Sequence, residues 1–432
     1  MLTFEQALTT VREKITAVHP APAVEILPLG SVRGRVLAED LVADRDYPPF
    51  HRSTRDGFAV RAAEVAKTPV TLEVVGLARA GEPYTGSLVG RDGCAVEIMT
   101  GAPLPNGTDA VVMIEHTREV ASLGGNPNPT RRVEILKSVR SFDNVVRQGS
   151  ETAAGGRVLP RGRRLGPGEI GLAASIGRAQ VPVFTRPQVA ILPTGDEVVG
   201  VDEKPAWFQI RNSNAMTLAA QAEAAGGVPR LCGIAPDSRE ALGRLIEDGL
   251  KCDLLVLSGG ISVGKYDFVA EVLTGLGAEF YIQGVAIRPG KPLAFGRARE
   301  RFFFALPGNP VSTFVTFELF VRPAIAYLRG AAFEQPVYLK ARLGAPVRPA
   351  TGLTTFMPAR ITRNKACSNA GDPKGAASQE RSQASDPVVN LVGWQGSGDL
   401  VGLAEANCFL AVHPDQTDLA PGDWVDVMPK SW

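Results

Sequence analysis

The feature that most constrains this chain is an apolar run ending abruptly in glycines, DLLVLSGGISVGKYDF at residues 253–268. Leu254, Leu255, Val256 and Leu257 show no polar alternation, as expected of a parallel strand buried on both faces. Ser258, Gly259 and Gly260 then open a loop at its carboxyl end, and Gly264 and Asp267 follow. The glycines let backbone N–H groups approach an anion, Ser258 and Ser262 add hydroxyl donors, and the next helix points its positive end at the loop. Asp267 would repel a phosphate unless a divalent cation stood between them. On these residues alone two readings stay open: a metal-bridged phosphate, or a tight strand-to-helix turn with Asp267 as cap.

A chain of 432 residues is expected to form two to four domains. Hydrophobic residues make up 44% and charged residues 21%, which is ordinary globular usage. The net charge of +1 excludes a global basic field for nucleic acid, so any anion site is local. The five cysteines are far apart with no CxxC pair, which disfavours a disulfide framework or zinc site and fits a reducing cytoplasm. The N-terminal residues carry charges unlike a signal peptide, and no run reads as membrane-spanning.

Thr3 and Gln6 form a capping box, and Phe4, Ala7, Leu8, Val11, Ile15 and Val18 recur at helical spacing. Residues 46–144 read as short strands and turns, with strands at 70–75, 95–99 and 110–114. They carry two loops, HRSTRDGFAV at 51–60 and MTGAPLPNGTDAVV at 99–112, whose Asp-Gly and Asn-Gly pairs also have ordinary turn chemistry. Residues 1–45 and 145–182 are expected to form one discontinuous domain into which 46–144 is inserted. From 183 to 330 strands at 189–192, 230–234 and 254–257 alternate with helices at 215–225 and 239–250, for which Asn214 and Ser238 are candidate caps. A helix near 268–276, strands near 279–283, 293–295 and 302–305, and a long helix at 311–328 complete a doubly wound α/β domain with its site at the carboxyl ends of the strands. The loops PTGDE, IRPGKP and LPGNPVS fall at that edge. Residues 331–432 read as a small β-barrel or sandwich, and 364–387, polar and without period, as a disordered insertion.

The inventory excludes several chemistries. Four histidines and no nucleophile elbow give little support to a hydrolytic triad. The glycine loops lack a P-loop Lys-Ser/Thr, and no GxGxxG follows the first strand of the α/β part. Glycine loops and the carboxylates Glu197, Asp237 and Asp267 remain, with Arg288 and Lys291 as fixed positive charge. That set suits a hard cation, Mg²⁺, acting on a phosphoanhydride. Arg288 could equally pair with a surface acid.

MTGAPLPNGTDAVV, PTGDE, SGGISVGKYDF, IRPGKPLAFG and LPGNPVS, in this order and spacing, resemble the molybdopterin molybdotransferase family, known as MoeA in bacteria and as the E domain of gephyrin in animals. The resemblance covers nearly the whole chain except 364–387. It implies a four-part subunit forming a homodimer, with an active cleft between the α/β domain of one subunit and the inserted β-rich domain of the other. It also implies the reaction: adenylylated molybdopterin and molybdate give molybdenum cofactor and AMP with Mg²⁺ or a similar ion. Other cofactor-biosynthesis proteins are implied as partners, nucleic acid and membrane are not. On this resemblance Glu197, Asp237 and Asp267 match family acids and metal ligands, while Asp56, Thr100 and Glu151 come from the partner subunit. Ser258, Gly259, Gly260, Ser262 and Gly264 match the pterin-phosphate loop, with Pro307, Gly308 and Pro310 beside it, and Arg288, Lys291, Arg360 and Ser397 match positions associated with the oxyanion. Arg55, Phe58, Glu151 and Arg288 stand where the family usually has Met, Tyr, Asp and Lys. Two alternatives are a molybdopterin adenylyltransferase, resembling 187–330, and a non-catalytic scaffold of the same fold.

Overall fold

Alternate residues of each central strand point into two different cores, which is why these strands read as unbroken apolar runs. In the computed structural model, which describes residues 1–18, 22–120, 131–261, 268–363 and 386–430, Val189, Ile191, Leu254, Val256, Phe302 and Phe304 enter one core. Ala190, Leu192, Leu255, Leu257, Phe303 and Ala305 enter the other. The strands are β1 (Gln188–Pro193), β2 (Val228–Leu231), β3 (Leu254–Ser258), β4 (Glu279–Gln283), β5 (Ala294–Ala298) and β6 (Arg301–Leu306), ordered β2-β1-β3-β6-β5-β4. The first four in that order are parallel, and β5 and β4 are antiparallel additions at the edge.

Helices α2 (Ser213–Ala224) and α5 (Pro310–Leu328) cover the first face, and α3 (Arg239–Gly249) and α4 (Phe268–Gly275) the second. This is the doubly wound α/β architecture that the alternating pattern anticipates. α5 differs from expectation: among the described residues it is one helix long and apolar enough to cross a membrane. The fold buries 89% of that stretch, so its composition reflects a core position. It winds as a π turn over Phe317–Val321.

Two compact units divide the chain, one of Met1–Ile26, Gly34–Ala38 and Pro182–Trp432 and the other of Leu27–Arg33 and Glu39–Val181. Helix α1 (Phe4–Val18), expected with 145–182, belongs to the first. Its capping box forms, with Thr3 N–H on Gln6 Oε1 at 2.9 Å and Gln6 N–H on Thr3 Oγ1 at 3.2 Å. Phe4 packs on Phe320 and Phe356 at ring separations of 5.8 and 5.7 Å, and Ala7, Val11 and Ile15 are fully buried in the same core. Amphipathic spacing announces a buried face without saying against what.

The C-terminal strands close into a five-stranded barrel, because Thr354–Arg363 pairs with both Pro387–Leu391 and Cys408–Val412, and Leu339–Leu343 and Trp424–Pro429 complete the ring. Ile287–Arg288 adds to it in parallel, Arg288 opposite Thr355. Of 364–387, only Asp386 and Pro387 lie within the described residues, and Pro387 opens a barrel strand opposite Arg363.

In the second unit a six-stranded sheet runs Ala110–Met113, Gly57–Val60, Cys94–Ile98, Val70–Ala78, Arg132–Ile135, Thr117–Val120. Gly57 opens a central strand rather than a turn. A Cβ there would lie 1.9 Å from the Val112 carbonyl oxygen, so the neighbouring strand demands glycine.

Candidate functional site

The strand registers bring four loops to one edge of the α/β sheet. Pro193 pairs with Ser258 and Ser258 with Leu306, so PTGDE, the SGG loop and LPGNP leave together. Ala294 of the antiparallel β5 pairs with Ala305, which places IRPGKP at the same edge.

Ser258 is buried, and Gly259 and Gly260 adopt φ of +95° and +68° directly over Thr194. A Cβ on Gly259 would lie 2.7 Å from the Thr194 carbonyl oxygen, and one on Gly260 would lie 2.6 Å from Val269 Cγ2. The turn therefore exposes backbone where a side chain has no room. A Cβ on Gly308 would sit 3.5 Å from Gly259 Cα, so two glycine loops touch backbone to backbone. Ser262, Gly264 and Asp267 lie outside the described residues.

Asn214 braces this contact. The expected cap of α2 is instead Asn212, whose side chain accepts the Ala215 N–H at 3.1 Å. Asn214, already inside the helix, donates to Ser258 Oγ at 2.8 Å and to the Gly308 carbonyl at 2.7 Å. Two asparagines flanking one serine signalled a cap, and only one of them can be the cap. Ser238 has the backbone geometry of a cap but makes no side-chain capping bond. Pro310 opens α5, where the Val311 N–H is taken by the Ser397 carbonyl at 2.9 Å, and Pro307 is buried beneath.

The acids gather at PTGDE. Gly195 is left-handed at φ +133°, and Glu197 folds back so that a Cβ on Gly195 would meet its Oε2 at 2.5 Å. Asp196, which sequence reasoning passed over, accepts the Asp237 N–H at 3.0 Å. Partial burial and then the negative charges of Asp196 and Glu197 push the Asp237 carboxyl above its ordinary range. Its adjacency to Glu197 was the available signal for Asp196.

Arg288 and Lys291 are exposed at the same edge, and among the described residues neither side chain has an ion-pair partner. Between them Gly290, at φ +116°, packs where a Cβ would strike Thr316 Cγ2 at 2.5 Å. Arg360 lies on the barrel strand five residues beyond Thr355, opposite Asn390. Its guanidinium donates to the Glu405 carbonyl at 2.6 Å.

In the second unit Asp56 Oδ1 accepts the Thr100 N–H at 2.7 Å and its hydroxyl at 2.8 Å. Those bonds, the backbone one first, hold the Asp56 carboxyl below its usual range. Glu151 lies 3.8 Å from the Arg52 guanidinium, and its N–H donates to the Tyr47 carbonyl at 2.9 Å.

Residues 2–177 match a model described as the MoeA N-terminal region (domain I and II), residues 190–327 a probable molybdopterin binding domain, and residues 375–430 the MoeA C-terminal region (domain IV). A molybdopterin molybdenumtransferase from Haemophilus influenzae is 32% identical over 432 residues, 99% of this chain and 98% of that one. Another from a Nostoc species is 39% identical over 327 residues, 74% and 72% of the two chains. The crystal structure of a molybdopterin biosynthesis MoeA protein from Pyrococcus horikoshii shares 30% identity with a TM-score of 0.72, covering 100% of both chains.

Proposed function

This chain belongs to the MoeA family of molybdopterin molybdenumtransferases, and from that premise we propose that it inserts molybdate into adenylylated molybdopterin with release of AMP. It is a transferase of molybdenum cofactor biosynthesis. The observation that carries the finer reading is the pairing, at one sheet edge, of an acid cluster with Arg288 and Lys291, two cations with no ion-pair partner among the described residues, around a glycine turn.

The SGG and LPGNP backbones would hold the substrate phosphates. Ser258 Oγ accepts from Asn214, which leaves its own O–H to donate to a phosphate oxygen. Arg288 and Lys291 would hold molybdate, keeping two anions in reacting proximity. Among the described residues no group of three or more His, Cys, Asp or Glu forms a cation cage. A full protein cage is not what Mg²⁺ requires, since one or two carboxylates complete its shell with substrate phosphates and water. The mutual repulsion already felt by Asp237 fits a cation held by Glu197 and Asp237, with Asp267 as a third acid. Such a cation would polarise the phosphoanhydride. The reading includes a homodimer in which Asp56, Thr100 and Glu151 serve a site shared between subunits, and a cytoplasmic setting.

Incubation with adenylylated molybdopterin should release AMP only when molybdate is added, and Lys291→Ala should raise the molybdate concentration needed. Consumption of ATP with release of pyrophosphate would instead establish an adenylyltransferase. AMP release undiminished by Asp237→Asn and Glu197→Gln would sink the role given to the acids. For the dimer, mixing Asp56→Ala with Asp237→Ala subunits should restore part of the activity that each lacks.

A further inference from the structure

Three loops of the second unit meet at His51. Its carbonyl accepts the Leu104 N–H at 2.8 Å, and the neighbouring Ser53 exchanges bonds with Gly101 and Ala102 at 2.8 and 3.0 Å, so the loop carrying Asp56 is tied to the loop carrying Thr100. On its other side the imidazole Nδ1 accepts the Gln148 N–H at 2.9 Å, which ties both to the stretch 147–151 that ends in Glu151. The ring stands edge-on to Phe142 at 5.4 Å and 62°, and the Arg147 guanidinium lies 4.0 Å over the same phenyl ring.

An imidazole nitrogen accepts a hydrogen bond only when it carries no proton, so the bond to Gln148 requires neutral His51 with its proton on Nε2. Protonating Nδ1 would set a donor against a donor. Asp46 faces this junction through its bond from Gln148 Nε2 at 3.1 Å, and Arg52 is next in the chain with Glu151 3.8 Å away. Arg147 and Glu151 lie on the latched loop, Arg140 and Asp143 flank Phe142, and residues 99–104 bring no titratable side chain.

We propose that His51 is a positioning residue: neutral His51 latches residues 147–151 through the Gln148 amide and sets Glu151 for the reaction, and protonation releases it. The consequence for catalysis rests on Glu151 belonging to the site, as the functional reading holds. A protonated Nδ1 would face the Gln148 N–H donor to donor, so acidification loosens the latch.

The test uses the full chain. Hydrogen exchange measured by mass spectrometry at one fixed pH should show faster uptake in peptides containing Gln148 for His51→Ala than for wild type. In His51→Asn, an amide oxygen can take the place of Nδ1 without titrating, and exchange should stay close to wild type. With adenylylated molybdopterin and molybdate, kcat of His51→Ala should fall about three- to tenfold, the loss of one positioning hydrogen bond, with little change in KM. The wild-type rate should decline on the acid side of its pH profile, and His51→Asn should flatten that decline. Unchanged exchange in His51→Ala, or an acid decline in His51→Asn identical to wild type, overturns the proposal. Glu151→Gln separates the two inferences: if it leaves kcat intact, the site reading of Glu151 fails, while the exchange data still decide whether the latch exists.

Discussion

Asp56 and Thr100 form a closed pair, in which one carboxylate oxygen takes both the backbone N–H and the hydroxyl of the threonine, at 2.7 and 2.8 Å. Asp56→Asn keeps an acceptor oxygen for both bonds and removes the charge, whereas Asp56→Ala loses both. Asp56→Asn should therefore leave the thermal transition nearly unchanged while lowering AMP release, and Asp56→Ala should lower both. Because the folded carboxyl is held below its ordinary 3.8, its stabilising contribution is present above that pH and disappears as pH falls through the lowered value. The difference in Tm between wild type and Asp56→Ala, followed from pH 5 downward, should shrink accordingly.

Asn214 joins Ser258 to Gly308. Asn214→Ala removes two hydrogen bonds at a part-buried junction, a loss of about 1–3 kcal/mol, and frees the two loops from one another. Substrate titration should show a raised KM for the pterin nucleotide, with the fold retained by circular dichroism. Asn214→Asp, which sets a carboxylate against the Gly308 carbonyl, should be worse than alanine. Equal effects of the two would contradict the donor role.

Gly259 and Gly260 test the need for bare backbone. Alanine at either position meets a left-handed φ and a contact of 2.7 or 2.6 Å, which costs about 1–3 kcal/mol. Gly259→Ala should be the more damaging, because its obstacle is the backbone carbonyl of Thr194, while the obstacles to Gly260→Ala are side-chain atoms, Val269 Cγ2 and Thr194 Oγ1. Calorimetric Tm values of the two variants check the order.

Asp237 has the opposite sign to Asp56. Its carboxyl is raised by burial and by Asp196 and Glu197, so the folded state is favoured with the group protonated, and that advantage is lost as pH rises through the folded value. At pH 7 Asp237→Asn should therefore melt higher than wild type, and the two should converge as pH falls below 3.8. Added Mg²⁺ should raise the wild-type Tm and do less for the variant.

The α/β sheet was legible because unbroken runs such as Leu254–Ser258 admit few structures once glycine closes them. Its helices were legible from period, but their partners were not: the spacing of Phe4, Val11 and Ile15 shows a buried face and cannot say that Phe320 and Phe356 cover it. Asn214 illustrates a second limit. Near a helix start, asparagine reads as a cap by local chemistry, and only the return of Ser258 and Gly308 through the sheet gives it other work. Asp196 was hidden for the reverse reason, since its neighbour Glu197 already accounted for the motif. The glycine at 57 looked like a turn because nothing local to Asp-Gly reveals a strand pressing on it from Val112.

The Phe4 cluster also bears on how the chain is made. This helix is synthesised with its apolar face complete, yet the rings that cover it, Phe320 and Phe356, follow more than 300 residues later. Until then the helix has to stay solvated or be shielded by a chaperone. A chain that stopped between the two rings would keep Phe320 over Phe4 and lose Phe356, and one that stopped before Phe320 would leave that face of the helix without either ring.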